Sequence, residues 1–402
     1  MGRSSRARRA MAVLLAAVLA AGACSRSDDD ADGGNSGGGN GGNGGGESSG
    51  DAGDGVLNVA VVVDRSGPAA FAGLGDQAGI ELAQDELEES GFLADEDIEL
   101  EIEFYDAETN PDRAIEHVNR IVADDDVDVL IGPLNANQAL ATAPVAQGAG
   151  LPNVLMHADA AHPKDIGDLI FRITPPQPSF IGASVDNFAE RGIESVGLLY
   201  DETNPTLVEI AEEVLPDLFD EAGIEVVYDS TFRPTDTDFS GAAAEIARLA
   251  PDGLAMLAVG AVNVTMLNQL REQGFEGAIF SQNASGVFLE AGPVADGIVW
   301  STPFNPASDL ETPQKFTAAF EEANGKAPNH FNATGYDALW FVARAAVEGG
   351  TSREGVAAGL QAVADEGFEG AQGALTFTDR DARVEPTVMQ INGGVEAPYE
   401  AP

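Results

Sequence analysis

Residues 56–90 read VLNVAVVVDRSGPAAFAGLGDQAGIELAQDELEES. The first eight are a nearly continuous apolar run, the pattern of a strand covered on both faces. Asp64-Arg65-Ser66-Gly67-Pro68 is turn chemistry. From residue 73 to 89 the apolar side chains Ile80, Leu82, Ala83 and Leu87 fall on one side of a helix. A buried strand that turns tightly into an amphipathic helix begins a βαβ unit, so the sheet it starts should be parallel.

The same rhythm continues outward. A strand over 98–104, a helix over 113–123, a strand over 127–131 broken by Gly132-Pro133, and a helix over 138–148 follow in turn. It restarts with strands over 195–200, 225–228 and 253–259, alternating with helices over 207–222, 239–249 and 264–273. Short strands over 278–280 and 297–300 and long helices over 312–324 and 333–348 complete it. At 402 residues the chain exceeds one ordinary core, so the expected fold class is α/β, with two Rossmann-like lobes built on parallel sheets. In open sheets of this kind a ligand sits beyond the carboxyl ends of the strands.

Composition narrows the function classes. Asp and Glu number 67 against 20 Lys and Arg, for a formal net charge of −47, and no basic run follows the first ten residues. A nucleic-acid partner is therefore not expected. Such acidity reads either as adaptation to a saline habitat or as the footprint of a high-GC genome. Cys24 is the sole cysteine, which excludes an intramolecular disulfide, a cysteine protease and a Cys-based zinc site. No Gly-x-Ser-x-Gly elbow, His-Glu-x-x-His pair or phosphate loop occurs, so no enzyme activity and no cofactor are expected.

The amino terminus carries an address. Arg3, Arg6, Arg8 and Arg9 precede a short apolar run, then Ala21-Gly22-Ala23-Cys24. Residues 1–23 read as a signal peptide. Cys24 is either the lipidated first residue of a lipoprotein, as the lone cysteine at that position favours, or simply follows an ordinary cleavage site. Residues 24–55, rich in Gly, Ser, Asn and Asp, read as a flexible tether to the outer face of the membrane.

From residue 56 to about 395 the chain resembles the leucine/isoleucine/valine-binding-protein branch of the type I periplasmic binding fold. The resemblance rests on the order and spacing of several motifs: Asp64-Arg65-Ser66-Gly67-Pro68, Leu130-Ile131-Gly132-Pro133-Leu134, Phe171-Arg172-Ile173-Thr174-Pro175, Leu199-Tyr200-Asp201-Glu202-Thr203 and Gly335-Tyr336-Asp337-Ala338-Leu339. It implies two lobes, residues 56–174 with 303–369 and residues 175–302 with 370–402, joined by three hinge crossings around a ligand cleft. It also implies a monomeric solute-binding protein that serves the permease and ATPase of an ABC importer. The alternative is a ligand-sensing receptor of the same fold without transport.

In the family's amino-acid binders two hydroxyls hold the ligand carboxylate and an acid meets its ammonium group. Here the aligned positions are Ala136, Asp159, Pro205, Val259 and Asn283, with Phe71 in place of the first-loop aromatic. That clamp is gone, so free leucine, isoleucine and valine are not the expected ligands. A neutral or cationic molecule with amide or hydroxyl groups, such as an amide, a urea-like compound or an amino-acid derivative, suits the set better. Phe71 is either a cleft wall or a packed hydrophobe. Asn135 is either a helix N-cap or a ligand contact, and Asn137 is the better contact of the two. His157-Ala158-Asp159-Ala160-Ala161-His162 has too few ligands for a zinc site, so His157 and Asp159 are expected at the ligand and no metal is expected. Asn204 and Gln282 complete the expected site from the second lobe.

Overall fold

The computed structural model describes residues 53–282 and 287–401. The signal segment, Cys24 and Asn283 lie outside the described residues. The last three residues of the expected tether already lie on the folded body, where Glu99 N donates to the Gly55 carbonyl at 2.8 Å.

The chain lays down β1 (Val56–Val63), β2 (Glu99–Asp106), β3 (Val129–Ile131), β4 (Asn153–Leu155) and β5 (Ile170–Arg172). It then crosses to a second sheet and forms β6 (Ser195–Asp201), β7 (Glu225–Phe232), β8 (Gly253–Leu257), β9 (Ala278–Ser281) and β10 (Val299–Thr302). After two helices it returns through a third, Arg353–Glu366, to β11 (Phe368–Gly370), β12 (Gly373–Thr378) and β13 (Asp381–Arg383). It ends with β14 (Thr387–Asn392) and β15 (Val395–Pro398). The first sheet has the order β11-β12-β13-β5-β4-β3-β1-β2 and the second β15-β14-β10-β9-β8-β6-β7. All pairs from β1 to β5 and from β6 to β10 are parallel, and the late strands add antiparallel edges.

This corrects the expected lobe boundary. The resemblance places residues 370–402 in the second lobe, but β12 and β13 extend the first sheet, with Asp381 paired to Arg172. The third crossing is therefore residues 384–386, between β13 and β14. The β12–β13 turn at Asp379 and Arg380, both at positive φ, folds back a strand pair that neither residue type announces. The expected helix over 207–222 also contains a wide π turn, Ile210–Val214, just before Pro216, which has no N–H for the regular ladder.

Helices cover both faces of each sheet. The helix Ala70–Ser90 packs against His330–Gly349, and its approach depends on glycine. A Cβ on Gly79 would lie 1.9 Å from the Asn332 carbonyl oxygen, and one on Gly335 would lie 2.0 Å from that of Asp76. This contact matters because both helices bring side chains to the cavity described next.

A buried polar network anchors the first crossing, at Thr174, to the first lobe. Thr174 Oγ1 donates to Gln372 Oε1 at 2.7 Å, and the backbone N–H groups of Ala371 and Gln372 donate to Asp337 at 2.6 and 2.9 Å. Burial raises the Asp337 carboxyl to about 7, against the pull of those hydrogen bonds.

Candidate functional site

A cavity of about 690 Å³, counting the space open at its mouth, lies at the carboxyl ends of strands from both sheets. The first lobe supplies Phe71, Leu134, Asn135, Ala136, His157, Asp159, His330 and Phe331. Asn204, Thr206, Leu207, Val259 and Gln282 come from the second, and Thr174, Pro175 and Gln177 from the crossing between them. Eight of the ten sequence-predicted ligand residues thus come together at one cavity. Asn137 does not: it is exposed, on the far side of its helix turn from Ala136 and Gln138. Asn283 is not described.

Phe71 is 39% exposed and stands edge-on to Phe331, ring centroids 5.5 Å apart. It also approaches the second lobe, since a Cβ on Gly260 would meet its ring at 3.7 Å. It is a wall of the cavity, not a packed core residue. Asn135 occupies the N-cap position of the helix Ala136–Gly148, yet its side chain caps nothing there. Its amide donates instead to Asp64, whose other oxygen accepts from Gln138 Nε2 at 2.9 Å and Thr109 N at 2.7 Å. Asn204 does cap its helix, accepting from Thr206 N at 3.1 Å. Gln282 donates to the Ala258 carbonyl at 2.8 Å and accepts from Gln177 Nε2 at 2.6 Å, which links the crossing to the second lobe.

Asp159 is the ionisable centre. It is 5% exposed, and one carboxyl oxygen accepts from Gln177 N at 3.1 Å. Burial pushes the acid up to about 6, opposed by the nearby Arg172, the Gln177 N–H and His157, and assisted by Glu209. Arg172 is wholly buried beneath it. Its Nη1 donates to the carbonyls of Ala158 and Asp159 at 2.8 and 2.6 Å, and its Nη2 pairs with Asp381 on β13 at 2.7 Å. The cavity loop is therefore pinned by the late strands of the first sheet.

His157 meets no metal cluster; among the described residues no three His, Cys, Asp or Glu side chains converge as a metal site. Its Nε2 lies 2.9 Å from Asp76 Oδ1, and its Nδ1 lies 3.2 Å from His330 Nε2. Asp76 and His330 were missed at the sequence level. Asp76 had a signal: it sits on the inward stripe of its helix, four residues before Ile80, where an acid is out of place. Its carboxyl is raised by burial, with His157 pulling the other way, and burial holds the His330 imidazole well below its ordinary pKa. His330 had no comparable signal, because only the turn at Asn329 and the helix packing bring it to His157.

Two α/β lobes, three crossings and a cavity between strand ends define a two-lobed small-molecule binding protein. The chain belongs to the periplasmic binding protein family, whose profile matches residues 56–394. Solved structures agree on the fold. The leucine-binding protein LivK from Thermotoga maritima is 23% identical with a TM-score of 0.76, covering 86% of this chain and 98% of that one. LivJ from Streptococcus pneumoniae, in complex with isoleucine, is 22% identical with a TM-score of 0.75, covering 86% and 99%. A solute-binding protein of an ABC transporter from R. palustris, in complex with benzoate, is 22% identical with a TM-score of 0.75, covering 86% and 95%.

Proposed function

We propose that the protein captures a small molecule outside the cytoplasmic membrane and delivers it, unchanged, to the permease and ATPase of an ABC importer. It acts as a monomer, tethered through a lipid on Cys24, and its lobes close over the ligand by bending at the three crossings. The observation that carries this reading is the cavity itself, walled by both lobes and their crossing. Phe71, Asn135, Ala136, His157, Asp159, Asn204, Val259, Gln282 and His330 are its proposed contacts, with Asp76 behind His157.

The ligand is not free leucine, isoleucine or valine. A zwitterion brings two charges into a closed cleft, and each unpaired one costs several kcal/mol. Ala136 offers no hydroxyl, and Asp159 repels a carboxylate placed beside it. Native mass spectrometry of protein purified from its own host should find a co-purified small molecule, released on unfolding and chemically intact. Isothermal titration of the stripped protein should find no micromolar binding of the three free amino acids. Tight binding of any of them would restore the branched-chain assignment.

A further inference from the structure

The polar groups of the cavity are unbalanced. No Lys or Arg side chain among the described residues lines it, and the nearest guanidinium, Arg172, is committed to Ala158, Asp159 and Asp381. Three of its amides are engaged, Asn135 donating to Asp64, Gln177 to Gln282, and Gln282 to the Ala258 carbonyl, which leaves the Asn204 amide and the Thr206 hydroxyl as neutral donors. The one carboxylate on the wall, Asp159, therefore has no side-chain cation facing it across the cavity. Asp159 has one oxygen on Gln177 N, while the other has no hydrogen-bond partner among the described residues.

The histidines extend the same bias. With Asp76 ionised, His157 donates to it through Nε2–H. When both rings are neutral, His157 Nδ1 then accepts from His330 Nε2–H, and His330 is left with a lone pair on Nδ1. That nitrogen is buried without a partner, on a residue that lines the cavity and is 2% exposed. Around these acceptors the wall is apolar and aromatic, with Phe71 and Phe331 edge to face and Leu134 and Val259 beside them.

The geometry points to a ligand with a nitrogen cation on a short apolar body, an amine, amidine or guanidine, with its N–H donors on Asp159 and its body against Phe71 and Phe331. This deepens the solute-binding reading and rests on it. The cation restores the pairing that a buried carboxylate needs, and aromatic faces tolerate a positive charge as they do not a negative one. A carboxylate ligand would have to rely on neutral donors, the first turn of the helix Ala136–Gly148, which Asn135 leaves uncapped, and the Asn204 amide and Thr206 hydroxyl across from it.

Pairs of probes that share a body and differ in charge test this: benzylamine and benzamidine against benzoate, and 3-methylbutylamine against 3-methylbutanoate. Isothermal titration and thermal shift on stripped protein at pH 7.5 should show the cations binding and the anions not. Asp159→Asn, checked for folding by circular dichroism, should weaken cation binding by about tenfold or more. Preferential binding of the carboxylates overturns the charge assignment and leaves solute binding standing. Equal cation affinity in wild type and a folded Asp159→Asn protein also overturns it. A protein that binds no probe and carries no small molecule from its host overturns both readings.

Discussion

At Asp159 two opposing pulls meet. The loop is dry, which favours the neutral acid, while Arg172, the Gln177 N–H and His157 favour the anion. Burial wins, and the acid titrates near 6 in the folded chain against 3.8 as its ordinary value. The sign follows from linkage. Well below pH 3.8 the group is protonated folded or unfolded; as pH rises from there through about 6 the unfolded chain gains a solvated charge that the folded chain can only bury at a cost. Asp159→Asn removes this cost. Urea unfolding of the empty protein should show the variant gaining on wild type between pH 4.5 and 7.5, by on the order of 2 kcal/mol. A constant difference across that range would mean the carboxyl does not titrate there. Comparing wild type with variant isolates Asp159 from Asp337, which destabilises as pH rises through about 7, and from His330, whose lowered pKa costs stability as pH falls below 6.5.

At the scale of elements, the site depends on one helix pair. Ala70–Ser90 presents Phe71 and Asp76, and His330–Gly349 presents His330 and Phe331. Gly335 lets them touch, since any Cβ there meets the Asp76 backbone. Gly335→Ala should therefore cost about 1–3 kcal/mol, and it should also weaken ligand binding because the two helices move apart. Gly241, in a helix with open space around it, is the control, and Gly241→Ala should leave the melting temperature level or raise it slightly. Equal effects of the two substitutions would show that the close approach is not what limits the packing.

For the whole molecule, the charge and the proposed lipid anchor each carry a prediction. A formal charge of −47 repels itself at low ionic strength, and screening reaches about 10 Å at 0.1 M salt, with nearer pairs requiring more. Melting temperature should rise from low to molar NaCl; a flat response would assign the acidity to genome composition. Cys24→Ala should shift the protein from the membrane to the soluble fraction or medium, and equal retention of mutant and wild type would exclude lipidation as the anchor. No helix among the described residues is long and apolar enough to cross a membrane.

Local pattern by itself determined the alternation of buried strands and amphipathic helices, because a strand covered on both faces must be apolar at nearly every position. The strand ends it marked hold Phe71, Asn135, Ala136, Asn204 and Gln282, where an α/β sheet opens its ligand site, while Asp159 and Val259 came from the family resemblance and His157 from the loop beside Asp159. It could not place Asn137 on the correct side of its helix without the phase of the first turn. Nor could it give the third crossing, since β11–β13 are short, part-polar edge strands whose sheet is chosen by pairing with β5. The Asp76–His157–His330 chain belongs wholly to the tertiary structure. Its members come from three distant segments, 81 and 173 residues apart along the chain, and only the approach of two helices over glycine brings them within hydrogen-bond range.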